Sequence, residues 1–198
     1  MHCKNIMMKH NNTIIAAILL MMFCAFARLI PHMPNFTPVE SLTIFGAAYL
    51  SKKHWAFIIS VVLLYFSDFI INNTIARSFF PDVQGIVWFS SYMMYNFLAM
   101  AMIVIVSSKI ISKVTIKNVG VSILLASVIF FIITNFGAWA NEKSIYSNDF
   151  NGLMASFMAG IPFFRNSLLS NIVFTTVIFG SFEIYTSIAA KQKSTAGV

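Results

Sequence analysis

The stretch Lys109-Ile110-Ile111-Ser112-Lys113-Val114-Thr115-Ile116-Lys117 places three lysines in nine residues between two long apolar runs. Basic residues that flank apolar segments are retained on the cytoplasmic side of a membrane, so this short loop sets the parity of every segment before and after it. Moving outward, the remaining gaps hold Arg77 and then Lys52 with Lys53 on one side, and Lys143 with Arg165 and then Lys191 with Lys193 on the other. Arg28, and finally Lys4 with Lys9, complete the N-terminal side. Rich and poor gaps alternate, with nine basic residues on one side and four on the other. The alternation predicts an all-α membrane protein of six transmembrane helices, with the N- and C-termini cytoplasmic and residues 1–198 forming a single integral membrane domain.

Composition points the same way. Hydrophobic residues make up 59% of the chain and charged residues 10%, far more apolar surface than one soluble core can bury. The net charge of +7 is a topology signal, because the lysines are spread over short inner segments instead of one nucleic-acid-binding face. Cys3 precedes the first apolar run and Cys24 lies inside it, so neither a disulfide within the chain nor a metal site follows.

A hydrocarbon core of about 30 Å needs roughly 20 residues of helix. The segments expected to cross are Thr13 to Ile30, Pro38 to Leu50, Trp55 to Ile71, Ile86 to Val106, Val119 to Trp139 and Ser167 to Ile188. The second is short, but parity requires it: without that crossing, Lys109, Lys113 and Lys117 would move outside. Local thinning of the bilayer or burial in protein would accommodate it. A different reading of the N-terminus takes Lys4, Lys9, the apolar run to Cys24 and Ala25-Phe26-Ala27 as a cleavable signal peptide. Continuation of the run through Leu29 and Ile30 favours a retained helix.

Between Ala140 and Ile161, Gly152, Ser156 and Gly160 recur at four-residue spacing, as a close-packing helix face requires. The segment is expected to form either a lid over a cavity or a packing face, with Pro162 kinking the chain after it.

The inner loops contain little besides lysine, while the outer ends carry the unusual chemistry. An ionisable group inside an apolar run costs about 2.5 to 3.5 kcal/mol on insertion scales unless it faces protein or water. Asp68 is therefore read as an inward-facing ligand group or as the partner of Arg28 or Arg165. Asn135 offers an amide beside aromatics, with Trp139 one turn further out, a combination that reads polar edges and stacks on flat rings. Its alternative is an interhelical hydrogen bond, and that of Trp139 is an interfacial belt position. Arg165 and Asn166, after Pro162, are expected to open a helix whose positive end reinforces the guanidinium. Phe163 and Phe164 would form an apolar wall, with Asn35 and Arg28 from the first outer loop completing the ligand-binding set. Lone His32 reads as a capping group and Glu40 as a first-turn acid. Phosphate loops, metal motifs and nucleophile elbows are missing from the sequence, so catalytic residues, cofactors and metals are not expected.

Arg28 to Val39, Phe45-Gly46, Ser67-Asp68, Thr134-Asn135-Phe136-Gly137-Ala138-Trp139, Pro162 to Asn166 and Phe179-Gly180 together resemble a bacterial family of uncharacterised membrane transport proteins. That family more distantly resembles the S components of energy-coupling-factor (ECF) vitamin transporters. The resemblance implies a six-helix bundle in the bacterial inner membrane that captures a water-soluble vitamin or similar small molecule in an outward-facing cavity. It also implies docking to an ECF-type energising module. One departure is that Ala16 is followed four residues later by Leu20, where many S components carry a second Ala. The cysteine that ligates cobalt in solitary cobalamin-handling relatives also has no counterpart. The competing expectation is a membrane scaffold or assembly subunit that uses the Gly152-Ser156-Gly160 rail and has no small-molecule ligand.

Overall fold

The computed structural model describes residues 11–30, 33–50, 52–79, 81, 83–142 and 144–196; Cys3, His32, Asp82 and Lys143 lie outside them. Among the described residues the regular elements are all helical: α1 (Asn11–Phe26), α2 (Val39–Tyr49), α3 (Lys53–Asn73), α4 (Ser91–Ile110), α5 (Ile116–Ala140) and α6 (Phe150–Ala196), with short 3-10 turns at Ala27–Leu29 and Arg77–Phe79. Four of them, α3 to α6, are long and apolar enough to cross a membrane. Their outer faces stay apolar: Val62, Phe66 and Ile70 on α3, and Ile172, Val173 and Val177 on α6, are exposed. A helix that is apolar on both its packed and its open faces belongs in lipid.

The short α2 is the hub, touching each of the other five helices. Every residue of it is buried except Ala48, which is half-buried. Eleven residues give about 17 Å of helix at roughly 1.5 Å per residue, too little to face lipid alone. Enclosure by protein removes that requirement. Gly46 permits the closest approach, since a Cβ there would lie 3.1 Å from the Ala56 Cβ. At the C-terminal end of α2 Phe45 and Tyr49 pack with Phe179 and Phe182, ring centroids 4.6 to 5.4 Å apart, and the Tyr49 hydroxyl donates to Glu183.

Two elements depart from the sequence expectation. The run expected to cross from Ile86 begins as helix only at Ser91, because the Asn73 side chain takes up both backbone polar groups of residue 87 and holds it outside the helix: Asn73 Nδ2 donates to the Val87 carbonyl at 2.9 Å and Asn73 Oδ1 accepts from its amide at 2.8 Å. The last crossing does not start at Ser167. Helix α6 runs unbroken through Pro162 for 47 residues, about 70 Å at roughly 1.5 Å per residue, and extends well past a bilayer. Proline removes one backbone hydrogen bond from a helix but is tolerated where neighbouring helices support the backbone, as α5 does along this stretch.

Candidate functional site

Polar residues at one end of the bundle collect around a cavity of about 150 Å³ between the start of α4, the end of α5 and the middle of α6. Tyr92, Phe130, Phe131, Tyr146, Phe163 and Phe164 supply rings to its wall, with Phe131 and Phe164 in edge contact at 5.3 Å. Asn35, Ser127, Thr134, Asn135 and Ser167 supply polar atoms, and Ala138, Ala159 and Gly160 leave room. Among the described residues the lining includes no Asp, Glu, Lys, Arg or His.

Each polar residue is placed by local structure. Asn35 adopts a left-handed backbone (φ 59°), which Asn tolerates better than most residues, in a turn closed by the Phe36 amide bonding the Met33 carbonyl at 3.0 Å. Asn166 Nδ2 holds that turn by donating to the Pro34 carbonyl at 3.0 Å. Asn135 Nδ2 donates to the Phe131 carbonyl at 2.7 Å, and its backbone carbonyl accepts from Ser156 Oγ at 2.9 Å. Gly160 makes space for the Asn135 amide, because a Cβ at 160 would come within 2.2 Å of its Oδ1. Ser156 and Gly160 of the small-residue rail thus pack against α5 of the same chain, while Gly152 packs against Ser147 in the preceding loop.

Beneath the cavity lies a second layer. Glu40, 4% exposed, accepts from Ser167 Oγ and from Asn171 Nδ2, each at 2.5 Å. Asn171 Nδ2 also donates to Ser127 Oγ at 2.8 Å, while its Oδ1 accepts from Ser41 Oγ at 3.1 Å. Ser170 Oγ donates to the Thr37 carbonyl at 2.6 Å. Ser127 and Ser167 belong to both layers, so the buried carboxyl is one side chain removed from the cavity.

Of the residues expected at the site, Asn35, Asn135, Phe163 and Phe164 line the cavity. Asp68 and Arg28 do not: they form an ion pair with each other, and Arg28 Nη1 also donates to Ser67 Oγ at 2.7 Å. That pair clamps the end of α1 to α3. Trp139 points its indole N–H at the Ser147 carbonyl, 3.0 Å away, and shapes the loop that presents Tyr146. Asn166 acts on the cavity only through the Asn35 turn. Arg165 is exposed and outside the lining. The helix-end argument for it fails because α6 begins at Phe150, fifteen residues earlier. The positive end is occupied there by Asp149, whose carboxyl accepts from the Gly152 amide at 2.8 Å and from Ser147 Oγ at 2.7 Å.

Sequence reasoning missed Ser127, Ser167 and Asn171 and took Glu40 for a first-turn acid. A signal was present: Ser167, Ser170, Asn171 and Thr175 recur at three- and four-residue spacing within an apolar run, a polar stripe that must face protein.

The family described as "Family of unknown function (DUF6580)" matches residues 8–194. The chain belongs to that family. No curated protein and no solved structure matches it. For DUF6580, the match covers both the cavity and the buried layer behind it.

Proposed function

We propose that this DUF6580 protein captures a small, uncharged molecule in an outward-facing cavity as a step in its uptake across the bacterial inner membrane, with no chemistry performed on it. The observation that carries this reading is the cavity itself: aromatic walls, amide and hydroxyl groups, and, among the described residues, no charged side chain. Sites of this kind hold a flat ring by its faces and read its edge by hydrogen bonds.

Six crossings with both termini in the cytoplasm support the orientation. In that arrangement α1 and the protein-enclosed α2 join the four long helices, and the Lys109–Lys117 loop is inside. Tyr92 lies near the start of α4 and Asn135 near the end of α5, so the cavity is at the opposite end of the bundle from that loop. The volume favours a one-ring ligand, being below the roughly 300 to 1,000 Å³ of drug-sized sites. A compact water-soluble vitamin or a similar nutrient fits that description. Likeness to ECF S components makes an energising module a candidate partner, docking at the inner side. Against the scaffold reading stands the small-residue rail, which is already occupied within the chain, Ser156 and Gly160 by α5 and Gly152 by Ser147.

Topology is tested by thiol labelling of intact cells. A cysteine introduced as Asn148→Cys is expected to react with an impermeant reagent and one introduced as Lys113→Cys to be shielded. Labelling at 113 from outside would end the outward-cavity reading.

A further inference from the structure

The hydrogen-bond polarity of the cavity floor follows from the layer behind it. Asn171 Nδ2 can only donate, so Ser127 Oγ must accept there, and its own O–H has no acceptor among the described residues. Ser127 therefore presents a donor to the cavity. With Glu40 ionised, Ser167 spends its O–H on the carboxylate, so it presents only lone pairs. The Asn171 amide cannot turn over without setting its Oδ1 against the Glu40 carboxylate, since only Nδ2 can donate there. A chain of four side chains, Ser127, Asn171, Glu40 and Ser167, thus fixes one donor and one acceptor on the same floor, below rings that stack.

We propose that the cavity selects an uncharged planar ring whose edge carries a carbonyl beside an N–H, as in a lactam, and that Glu40 is the positioning residue that sets this specificity. The inference rests on the small-molecule reading above. The ligand carbonyl takes the Ser127 O–H, and the ligand N–H donates to Ser167 Oγ. A ring lacking the N–H would set its lone pair against that of Ser167, and a mismatch of one buried hydrogen bond is worth about tenfold or more in affinity. An anionic ring is disfavoured because no cation is in the lining among the described residues.

The substitution Glu40→Gln tests this directly. The amide keeps the shape and accepts from Asn171 through its carbonyl, but its NH₂ donates to Ser167 Oγ and turns the Ser167 O–H toward the cavity. Two isosteric probes report the change: 2-pyridone, with C=O beside N–H, and 2-pyranone, with a ring oxygen in place of that N–H. Binding is measured by saturation-transfer NMR on the full-length protein in lipid nanodiscs. In the wild type, 2-pyridone is expected to bind about tenfold tighter than 2-pyranone. In Glu40→Gln, 2-pyranone should bind at least as tightly as 2-pyridone. Ser127→Ala should weaken both probes equally, because both carry the carbonyl. Ser167→Ala should abolish the difference between them, and serves where Glu40→Gln fails to fold. Equal wild-type affinities, or an unchanged order in Glu40→Gln or Ser167→Ala, overturn the proposal while leaving small-molecule capture standing. If neither probe binds although another small molecule co-purifies, the lactam class is wrong and capture stands. If neither probe binds and nothing co-purifies, both readings fall.

Discussion

Asp68 and Glu40 are both carboxylic acids buried in the bundle, at 7% and 4% exposure, yet they sit in opposite kinds of surroundings. Asp68 is met by the Arg28 guanidinium, and that pair, which is not part of the cavity lining, ties α1 to α3. Glu40 is met by Ser167 and Asn171, neutral groups that reach the cavity floor directly or through Ser127. A buried acid thus says only that something must satisfy it. A cation partner satisfies it by charge and makes a clamp, whereas neutral donors satisfy it by hydrogen bonding and pass its influence to whatever they touch.

The sharpest way to break this contrast is to remove the cation. Arg28→Ala leaves Asp68 buried and unpaired, which is expected to destabilise the fold by about 3 to 5 kcal/mol. Thermal unfolding in detergent checks it, with Arg28→Ala/Asp68→Asn recovering part of the loss. Affinity of the folded fraction for its ligand should stay unchanged; a matching loss of affinity would make the clamp part of the site.

Asn135→Ala reverses that pattern. It is expected to weaken ligand binding by about 1 to 3 kcal/mol, the scale of a buried hydrogen bond, with a smaller change in unfolding temperature. Arg165→Ala, on an exposed position outside the cavity, should change either quantity by no more than about 0.5 kcal/mol. An Arg165 effect as large as that of Asn135 would place the guanidinium in the site after all.

The smallest effect concerns the start of α6. Hydrogen bonds from the Gly152 amide and then from the Ser147 hydroxyl hold the Asp149 carboxyl below the usual aspartate range. The folded state thus binds this proton more weakly than the unfolded state. The cap's contribution is fully present above the unfolded value of about 3.9 and is lost as pH falls through the lower folded value. Asp149→Asn retains an acceptor without titrating. The unfolding temperature of the wild type should drop relative to this variant on acidification; parallel curves would show that the carboxylate does not act as described.

How much of this was legible in the sequence depends on the range of the interactions. The apolar runs of α3 and α5 are local patterns, and they appear within a few residues of their expected ends. The late start of α4 was not legible, because the Asn73 side chain that holds Val87 outside the helix is fourteen residues away. Pro162 reads as a break when only its neighbours in sequence are considered, but α5 packs along that segment. Asn135, Phe163 and Phe164 could be placed at the cavity because a polar group in an apolar run must face inward and adjacent rings follow it. Glu40 could not, since Ser167 and Asn171 lie 127 and 131 residues further along the chain. Its position in a first turn told only of the helix dipole.

Native mass spectrometry of the protein released from nanodiscs tests the central claim most directly, because it asks whether the cavity beside Asn135 holds a small molecule. The account predicts a single bound species of one-ring size in gently purified wild-type protein, retained in Arg165→Ala and lost in Asn135→Ala. A wild-type protein that carries no small molecule, or one whose bound species is unaffected by Asn135→Ala, would contradict it.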